Sequence, residues 1–377
     1  MLSWYTPNYG VADGYGSSAE HMMLGLEKLG YDVRIQPNFV LSGQTHIKHL
    51  LPPDKPYANG AVRIAYTPPH PLSWTRRHAQ QAVLGFSMWE DTSLPRTYDD
   101  AFFGVEAVAA PSDFCVKIFE DRLADLGIER AVHKVPLGVD VDYLPFKHRT
   151  FDRDRDLFVV VHSASRSSEI RKGADVAYEA FRKAFPGNEN VRLIFRSRLR
   201  SFMPESGGDP RVQFHSGSIT DEERAEIFHG AHVMLYPSRG EGFGLIPLEA
   251  LATGMPAIVS DGSSLTDYRD LFYPIETKPV PSKISVAWRE FPDGLWHEPS
   301  VASAAAHLRW VYENYEQAAN KAAESARLIR VRWTYDRTAR ALTVAIEDAR
   351  HVRKQHGDVE DERMAEARKR HAVAYNI

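Results

Sequence analysis

Residues 231–261 read AHVMLYPSRGEGFGLIPLEALATGMPAIVSD, and they decide the architecture. AHVMLYPS is a short, mostly apolar run, the pattern of a strand buried on both faces of a parallel sheet. Glycines at 240, 242 and 244 follow it, then a helix-length apolar stretch from near Leu245 that stops at Gly254 and Pro256, then a second strand run, PAIVSD. Strand, glycine loop, helix and strand make one parallel unit, and in open α/β sheets ligands bind beyond the carboxyl ends of the strands. Glu241 stands in that loop and Glu249 stands in the helix, with seven residues between them.

Gly240, Gly242 and Gly244 let the backbone approach a ligand without Cβ obstruction, and the helix aims unpaired N–H groups and its positive dipole end at the same place. That end suits phosphate. A carboxylate is a poor neighbour for phosphate but a good acceptor for hydroxyl groups, so Glu241 and Glu249 fit a molecule with hydroxyls at both ends and phosphate between them. A nucleotide-sugar is such a molecule. The cations its diphosphate needs stand in HSASRSSEIRKG, residues 162–173, where Arg166 and Lys172 flank a serine-rich turn after another strand run. Arginine grips phosphate oxygens bidentately and lysine adds a mobile point charge.

The same alternation extends along the chain. LSWY, DVRIQ, VRIAY, AVLGFSMW and VEAVAA read as strands of the first half, and LFVVVHSAS, VRLIFRS, AHVMLYPS and PAIVSD as strands of the second. A chain of 377 residues is too long for one ordinary core and fits two domains. The expected division is 1–148 and 149–339, with the polar stretch FKHRTFDRDRD at 146–156 as the linker and C-terminal helices from about 340 to 377 packing back onto the first domain.

Composition excludes several classes. Hydrophobic residues at 43% and charged residues at 25% match soluble globular proteins, so neither disorder nor a fibre is indicated. No apolar run reaches membrane-spanning length, and MLSWYTPNYG lacks the features of a signal peptide, so a cytoplasmic protein is expected. A net charge of −4 makes the whole chain a poor trap for nucleic acid, although basic clusters occur at 74–78, 196–200 and 368–371. The single cysteine, Cys115, reads as a structural thiol in a helix. Asp152, Asp154 and Asp156 imitate a metal-nucleotide D-x-D element, but they precede a strand and alternate with arginines, so no metal site is assigned.

SASRSSEIRKG, VPLGVD at 135–140, YPSRGEGFGLIPLEALATGMPAIVSD and WTYDRTARAL together resemble the retaining glycosyltransferases of family 4, over most of residues 104–345. The resemblance implies a GT-B fold: two Rossmann-like parallel-sheet α/β domains facing across a cleft, an acceptor domain followed by a nucleotide-sugar donor domain. It implies transfer of a hexose from a UDP- or GDP-linked donor to a hydroxyl on a glycan or other acceptor, with retention, without metal and without a further cofactor. By position, Arg166 and Lys172 match the basic pair on the donor diphosphate. Glu241 matches the glutamate on the donor sugar, Glu249 the one on the ribose, and Gly242, Phe243, Gly244 and Leu245 the backbone that meets sugar and phosphate.

In the first half, DGYGSSAEHMMLGLEKLGYDV resembles the family's first glycine loop, with Gly14 and Gly16 before a helix N-terminus at which Ser17 and Glu20 would form a capping box. GFSMWEDTSLP resembles a subgroup in which a W-E or F-E pair follows a strand and leads to a leucine-proline turn, which makes Glu90 a candidate to contact the acceptor or the reacting sugar, with capping of the next turn as the alternative. No H-D-x-H element is present, and Gly262, Ser263 and Ser264 stand where relatives commonly have paired glycines.

Three rival readings remain at this level. GYGSSA also fits the dinucleotide fingerprint of a nicotinamide-dependent oxidoreductase, but eight residues separate Gly14 from LSWY, and Gln36 replaces the acidic ribose ligand. A nucleotide-sugar binding protein without turnover is the non-enzyme alternative. A modified base in DNA is the alternative acceptor, reached after extrusion from the duplex.

Overall fold

A computed structural model describes residues 1–10, 14–36, 39–41, 44–51, 55–56, 58–75, 78–163, 169–197, 208–217, 219–283, 285–286, 289–290 and 294–375. The chain divides into two compact units, one formed by residues 1–89, 93–138 and 335–377, the other by 139–334 together with 90–92.

In the first unit, β1 (Leu2–Tyr5), β3 (Val33–Ile35), β5 (Val62–Tyr66), β6 (Ala82–Phe86), β7 (Ala107–Ala110) and β8 (Val132–Lys134) form one parallel sheet in the order β3-β1-β5-β6-β7-β8. A small parallel pair, β2 (Asn8–Tyr9) with β4 (Val40–Leu41), lies outside it. VRIAY and AVLGF are buried at every position, as strands covered on both faces must be. The helices are α1 (Gly14–Lys28), the short α2 (Asp99–Phe102) and α3 (Asp113–Asp125), which Ser112 caps by accepting from the Cys115 amide. Cys115 is buried, and its thiol donates to the Trp89 carbonyl at 3.4 Å.

The second unit has the six-stranded parallel order β11-β10-β9-β12-β13-β14, built from β9 (Phe158–Ser163), β10 (Val191–Ser197), β11 (Val212–Ser216), β12 (Val233–Tyr236), β13 (Ala257–Ser260) and β14 (Tyr273–Ile275). Phe158, Val160, Leu193, Phe195, Val233, Leu235 and Ile258 form its core with helix residues such as Phe181 and Leu308. Full burial of each such side chain contributes about 1.5–3 kcal/mol. The helices are α4 (Glu169–Lys172), α5 (Ala174–Ala184), α6 (Asp221–Gly230), α7 (Leu245–Ala252), α8 (Val301–Glu313) and α9 (Tyr315–Arg332). Two antiparallel pairs, β15 (Thr277–Pro281) with β18 (Leu295–Pro299) and β16 (Ser285–Val286) with β17 (Arg289–Glu290), follow the sheet.

Helix α10 (Tyr335–Tyr375) returns to the first unit. It approaches α1 closely where Gly25 has no side chain; a Cβ there would stand 2.8 Å from that of Ala339. Thr338 Oγ1 donates to the Pro136 carbonyl, and His133 pairs with Asp348 at 2.8 Å. The polar stretch 146–156, read above as a linker, is instead fastened to the second unit. The Arg149 guanidinium donates to the carbonyls of Phe228, Ala231 and Thr253 at 2.9, 3.0 and 3.2 Å. Asp152, Asp154 and Asp156 close their own turn, Asp152 accepting from the Asp154 amide and Asp156 from the Asp152 amide.

Candidate active site

The strand order of the second unit reverses between β9 and β12, which are neighbours although far apart in sequence. At such a switch point the connections leave in opposite directions and expose the strand ends. The segment after β12 carries Glu241, and the segment after β9 returns as α4, which ends in Arg171 and Lys172. Gly173 joins them: it has φ 73°, and a Cβ there would run into the Pro237 carbonyl, so only glycine lets the two segments meet.

Their meeting is electrostatic. Lys172 Nζ donates to both carboxylate oxygens of Glu241, at 2.6 and 2.8 Å. Ser238 Oγ lies 2.6 Å from Glu241 Oε1 and Tyr236 Oη 3.0 Å from it, each donating, while Arg171 Nη1 approaches at 3.3 Å and also reaches the Gly240 carbonyl. Lys172 and Glu241 are both nearly fully buried. Burial by itself raises the Glu241 carboxyl, but Lys172 and Arg171 outweigh it and hold the group below the ordinary glutamate value, as a carboxylate. Burial, with Glu241 beside it, raises the Tyr236 phenol well above the ordinary tyrosine value, so it stays a donor.

Arg239 fastens the surrounding frame. It pairs with Asp175 in the first turn of α5 at 2.8 Å and with Glu298 on β18 at 2.5 Å, and its side chain is 8% exposed. Such fork geometry fixes orientation as well as charge. Glu90, grouped with the second unit, lies 3.6 Å from Arg171 Nη2.

The glycines divide by role. Gly244, at φ 84°, is the residue before α7, and a Cβ there would meet Leu265 and Tyr268. Gly240 packs against the Glu90 carbonyl. These two glycines therefore serve close packing inside the protein as well as any approach of a ligand. Tyr268 Oη lies 2.6 Å from the Phe243 carbonyl and 2.9 Å from that of Gly244. Among the described residues no side chain caps α7 at Gly244, so the amides of half-buried Leu245 and Ile246 in its first turn keep their affinity for an anion. Gly242 and Phe243 are buried beside them.

Glu249 lies within α7 and accepts from Arg224 Nη1 of α6, at 3.1 Å on one oxygen and 3.4 Å on the other. Arg224 also pairs with Asp221. Arg166 lies outside the described residues. Gly14 and Gly16 belong to the first unit: the helix already opens at Gly14, and Gly16 lies against the backbone of Tyr9 and Gly10. The expected capping box is not formed there. Ser17 lies inside α1, and Glu20, fully buried, accepts from Thr45 Oγ1 at 2.6 Å and the His46 amide at 2.8 Å.

Arg171, Tyr236, Ser238, Arg224 and Arg239 were not singled out in the sequence. Arg171 and Ser238 flank chosen residues closely enough to have been found from the motif. Arg224 stands 25 positions from Glu249, and only the packing of α6 beside α7 pairs them.

Residues 117–342 match the family described as Family 4 Glycosyltransferase in conflict systems. The chain belongs to this family. Among curated relatives it is similar to the MMP alpha-(1->4)-mannosyltransferase of Mycolicibacterium hassiacum, 29% identical over 156 residues that cover 39% of this chain and 36% of that one. It is similar also to the phosphatidyl-myo-inositol mannosyltransferase of Mycobacterium leprae, 26% identical over 59% of this chain and 57% of that one. The chain thus spans between about a third and somewhat over half of the length of these relatives. Its fold is that of the sucrose-phosphate synthase of Thermosynechococcus elongatus (TM-score 0.62, 13% identity, 92% of this chain and 98% of that one) and of WaaG, a glycosyltransferase involved in lipopolysaccharide biosynthesis (TM-score 0.58, 15% identity, 92% and 99%). The family 4 member described here therefore has two parallel-sheet α/β domains of the GT-B class.

Proposed function

We propose that this family 4 protein transfers a sugar from a nucleoside diphosphate sugar to a hydroxyl acceptor. The observation that carries the reading is the Lys172–Glu241 pair beside the N-terminus of α7, at the switch point of the second sheet. Breaking the anomeric C–O bond leaves charge on the departing diphosphate, and preorganised positive groups stabilise it most. Lys172 and the α7 amides supply them, and Arg166, matched by resemblance, would add a third. Glu241 orients the sugar through its hydroxyls and forms no covalent bond, and Glu249 accepts from the ribose. The acceptor hydroxyl attacks from the face that the diphosphate leaves and gives its proton to a donor phosphate oxygen, so the anomeric configuration is retained. No metal is assigned a part, and chelator is expected to leave turnover unchanged.

Relatives named as mannosyltransferases, one of them GDP-mannose-dependent, make GDP-mannose the first donor to test and UDP-glucose the second. A glycan or other hydroxylated compound is the acceptor of this reading. The basic clusters at 76–77 and 198–200 lie outside the described residues, as do the side chains of most of 368–371, and lend no support to a nucleic acid acceptor. A thermal-shift panel of nucleotides and nucleotide-sugars, followed by an assay of nucleotide release, tests the proposal. Stabilisation by a nucleotide-sugar with acceptor-dependent release of nucleotide is expected. Binding without release from any donor would favour a binding protein, and absence of all nucleotide-sugar binding would overturn the reading.

A further inference from the structure

The turn after β13 holds the backbone of the glycine loop at several points. Ser263 Oγ accepts from the Glu241 amide at 3.0 Å, and the Ser264 amide donates to the Glu241 carbonyl at 3.3 Å. Both peptide groups of Glu241 are thereby taken by two consecutive serines. Tyr268, five residues on, reaches the carbonyls of Phe243 and Gly244. Thr266 Oγ1 donates to the Ser263 carbonyl at 2.8 Å and closes the turn.

Ser263 makes its contact in an unfavourable conformation. Among the described residues it is the one non-glycine at positive φ, 53°. Glycine adopts this region without penalty and serine does not. Strain of this kind persists where the surroundings enforce it and clusters at functional sites. Here the hydroxyl is buried, Ser263 being 5% exposed, and it satisfies an amide that water would otherwise have to reach. A glycine at 263 would relieve the strain and leave the Glu241 amide without that acceptor.

We propose that Ser263 is a positioning residue: its strained turn sets the Glu241 peptide and so aims the carboxylate at the donor sugar. It thereby governs discrimination between a nucleotide-sugar and the free nucleotide. This rests on the assignment of Glu241 to the sugar made above. A turn that served only the fold would be improved by Ser263→Gly and would show no functional cost.

The test uses the full chain with Ser263→Gly, which removes strain and hydroxyl together, and Ser263→Ala, which removes the hydroxyl and keeps the strain. Hydrogen exchange should show the Glu241 amide losing about tenfold or more of its protection in both variants. Tm should hold or rise in Ser263→Gly and fall in Ser263→Ala. With GDP-mannose and GDP as probes, and UDP-glucose with UDP beside them, the affinity gained from the sugar should shrink in Ser263→Gly by about fivefold to tenfold, while the free nucleotide binds within about twofold of wild type. Unchanged protection of the Glu241 amide in Ser263→Gly overturns the positioning role. Lost protection with the sugar increment intact overturns its link to specificity. A wild-type protein that binds none of these nucleotide-sugars overturns the functional reading and the specificity role that depends on it, while the exchange measurement still decides the positioning role.

Discussion

Glu241 and Glu249 belong to one short stretch, yet the fold prepares them differently. Glu241 meets Lys172, Arg171, Tyr236 and Ser238, so two cations and two hydroxyls converge on one carboxylate. Glu249 meets Arg224, which Asp221 also claims, so one cation serves two carboxylates. The first carboxylate is held in one orientation by cations in excess of its own charge. The second is held by a single shared cation, with carboxylates in excess. Equal spacing in sequence thus conceals opposite charge balances, and the difference comes from which helices stand beside the loop and beside α7.

The largest effect should come from Glu241→Gln, which strips the carboxylate from Lys172 and Arg171. Sugar transfer should fall by about two to three orders of magnitude. Stability should drop by up to about 3–5 kcal/mol, the usual cost of leaving a buried charge unpaired. Steady-state rates and urea midpoints read the two effects, and full activity in this variant would end the assignment of Glu241 to the sugar.

Acidification should act next, on buried histidines of the same unit. Burial lowers His162 to about 4, its Nδ1 bonded to the Leu235 carbonyl, and lowers His232 to about 4, its Nδ1 accepting from the Val159 amide. Both must stay neutral in the folded chain. Their unfolded counterparts take up protons first, so stability is full above about pH 6.5 and declines as the pH falls from there toward 4. His162 alone should account for about 3 kcal/mol at the lower end. Urea midpoints across this window, compared with those of His162→Gln, measure it; a midpoint independent of pH in the wild type would remove the prediction.

A smaller change is expected of Lys172→Gln. Weakening of GDP relative to guanosine by about tenfold or more would place the lysine on the diphosphate. Equal loss for both would confine Lys172 to holding Glu241. The smallest effect should be that of Glu249→Gln. If Glu249 accepts from a ribose hydroxyl, the preference for GDP over its deoxyribose analogues should narrow by about fivefold to tenfold, with little change in Tm. A preference that survives intact would leave Glu249 as the partner of Arg224 and no more.

Strand identity was legible because both sheets are parallel and buried. VRIAY, VRLIFRS and AIVS carry their apolar runs openly, and the observed strands coincide with these runs or lie within a residue of them. Shorter or partly exposed strands escaped notice: VHK at 132–134, VQFHS at 212–216 and YPI at 273–275 lie toward the sheet edges, where burial is incomplete and the periodic signal weak. The start of α1 was misplaced because Ser17 and Glu20 satisfy the spacing of a capping box, while Thr45 and His46, distant in sequence, take the carboxylate.

The sequence by itself determined the alternation of strand and helix, the glycine loop before α7 and the residue types available for a diphosphate and its hydroxyl-bearing ends. These are local matters of periodicity, φ preference and charge. Tertiary structure alone decided that Lys172 would close on Glu241, that Arg224 would be divided between Asp221 and Glu249, and that a serine would be held at positive φ to bond the Glu241 amide. The Lys172–Glu241, Arg224–Glu249 and Ser263–Glu241 contacts join residues 69, 25 and 22 positions apart, and the energy of a buried charge depends on all the groups packed around it rather than on its neighbours in the chain.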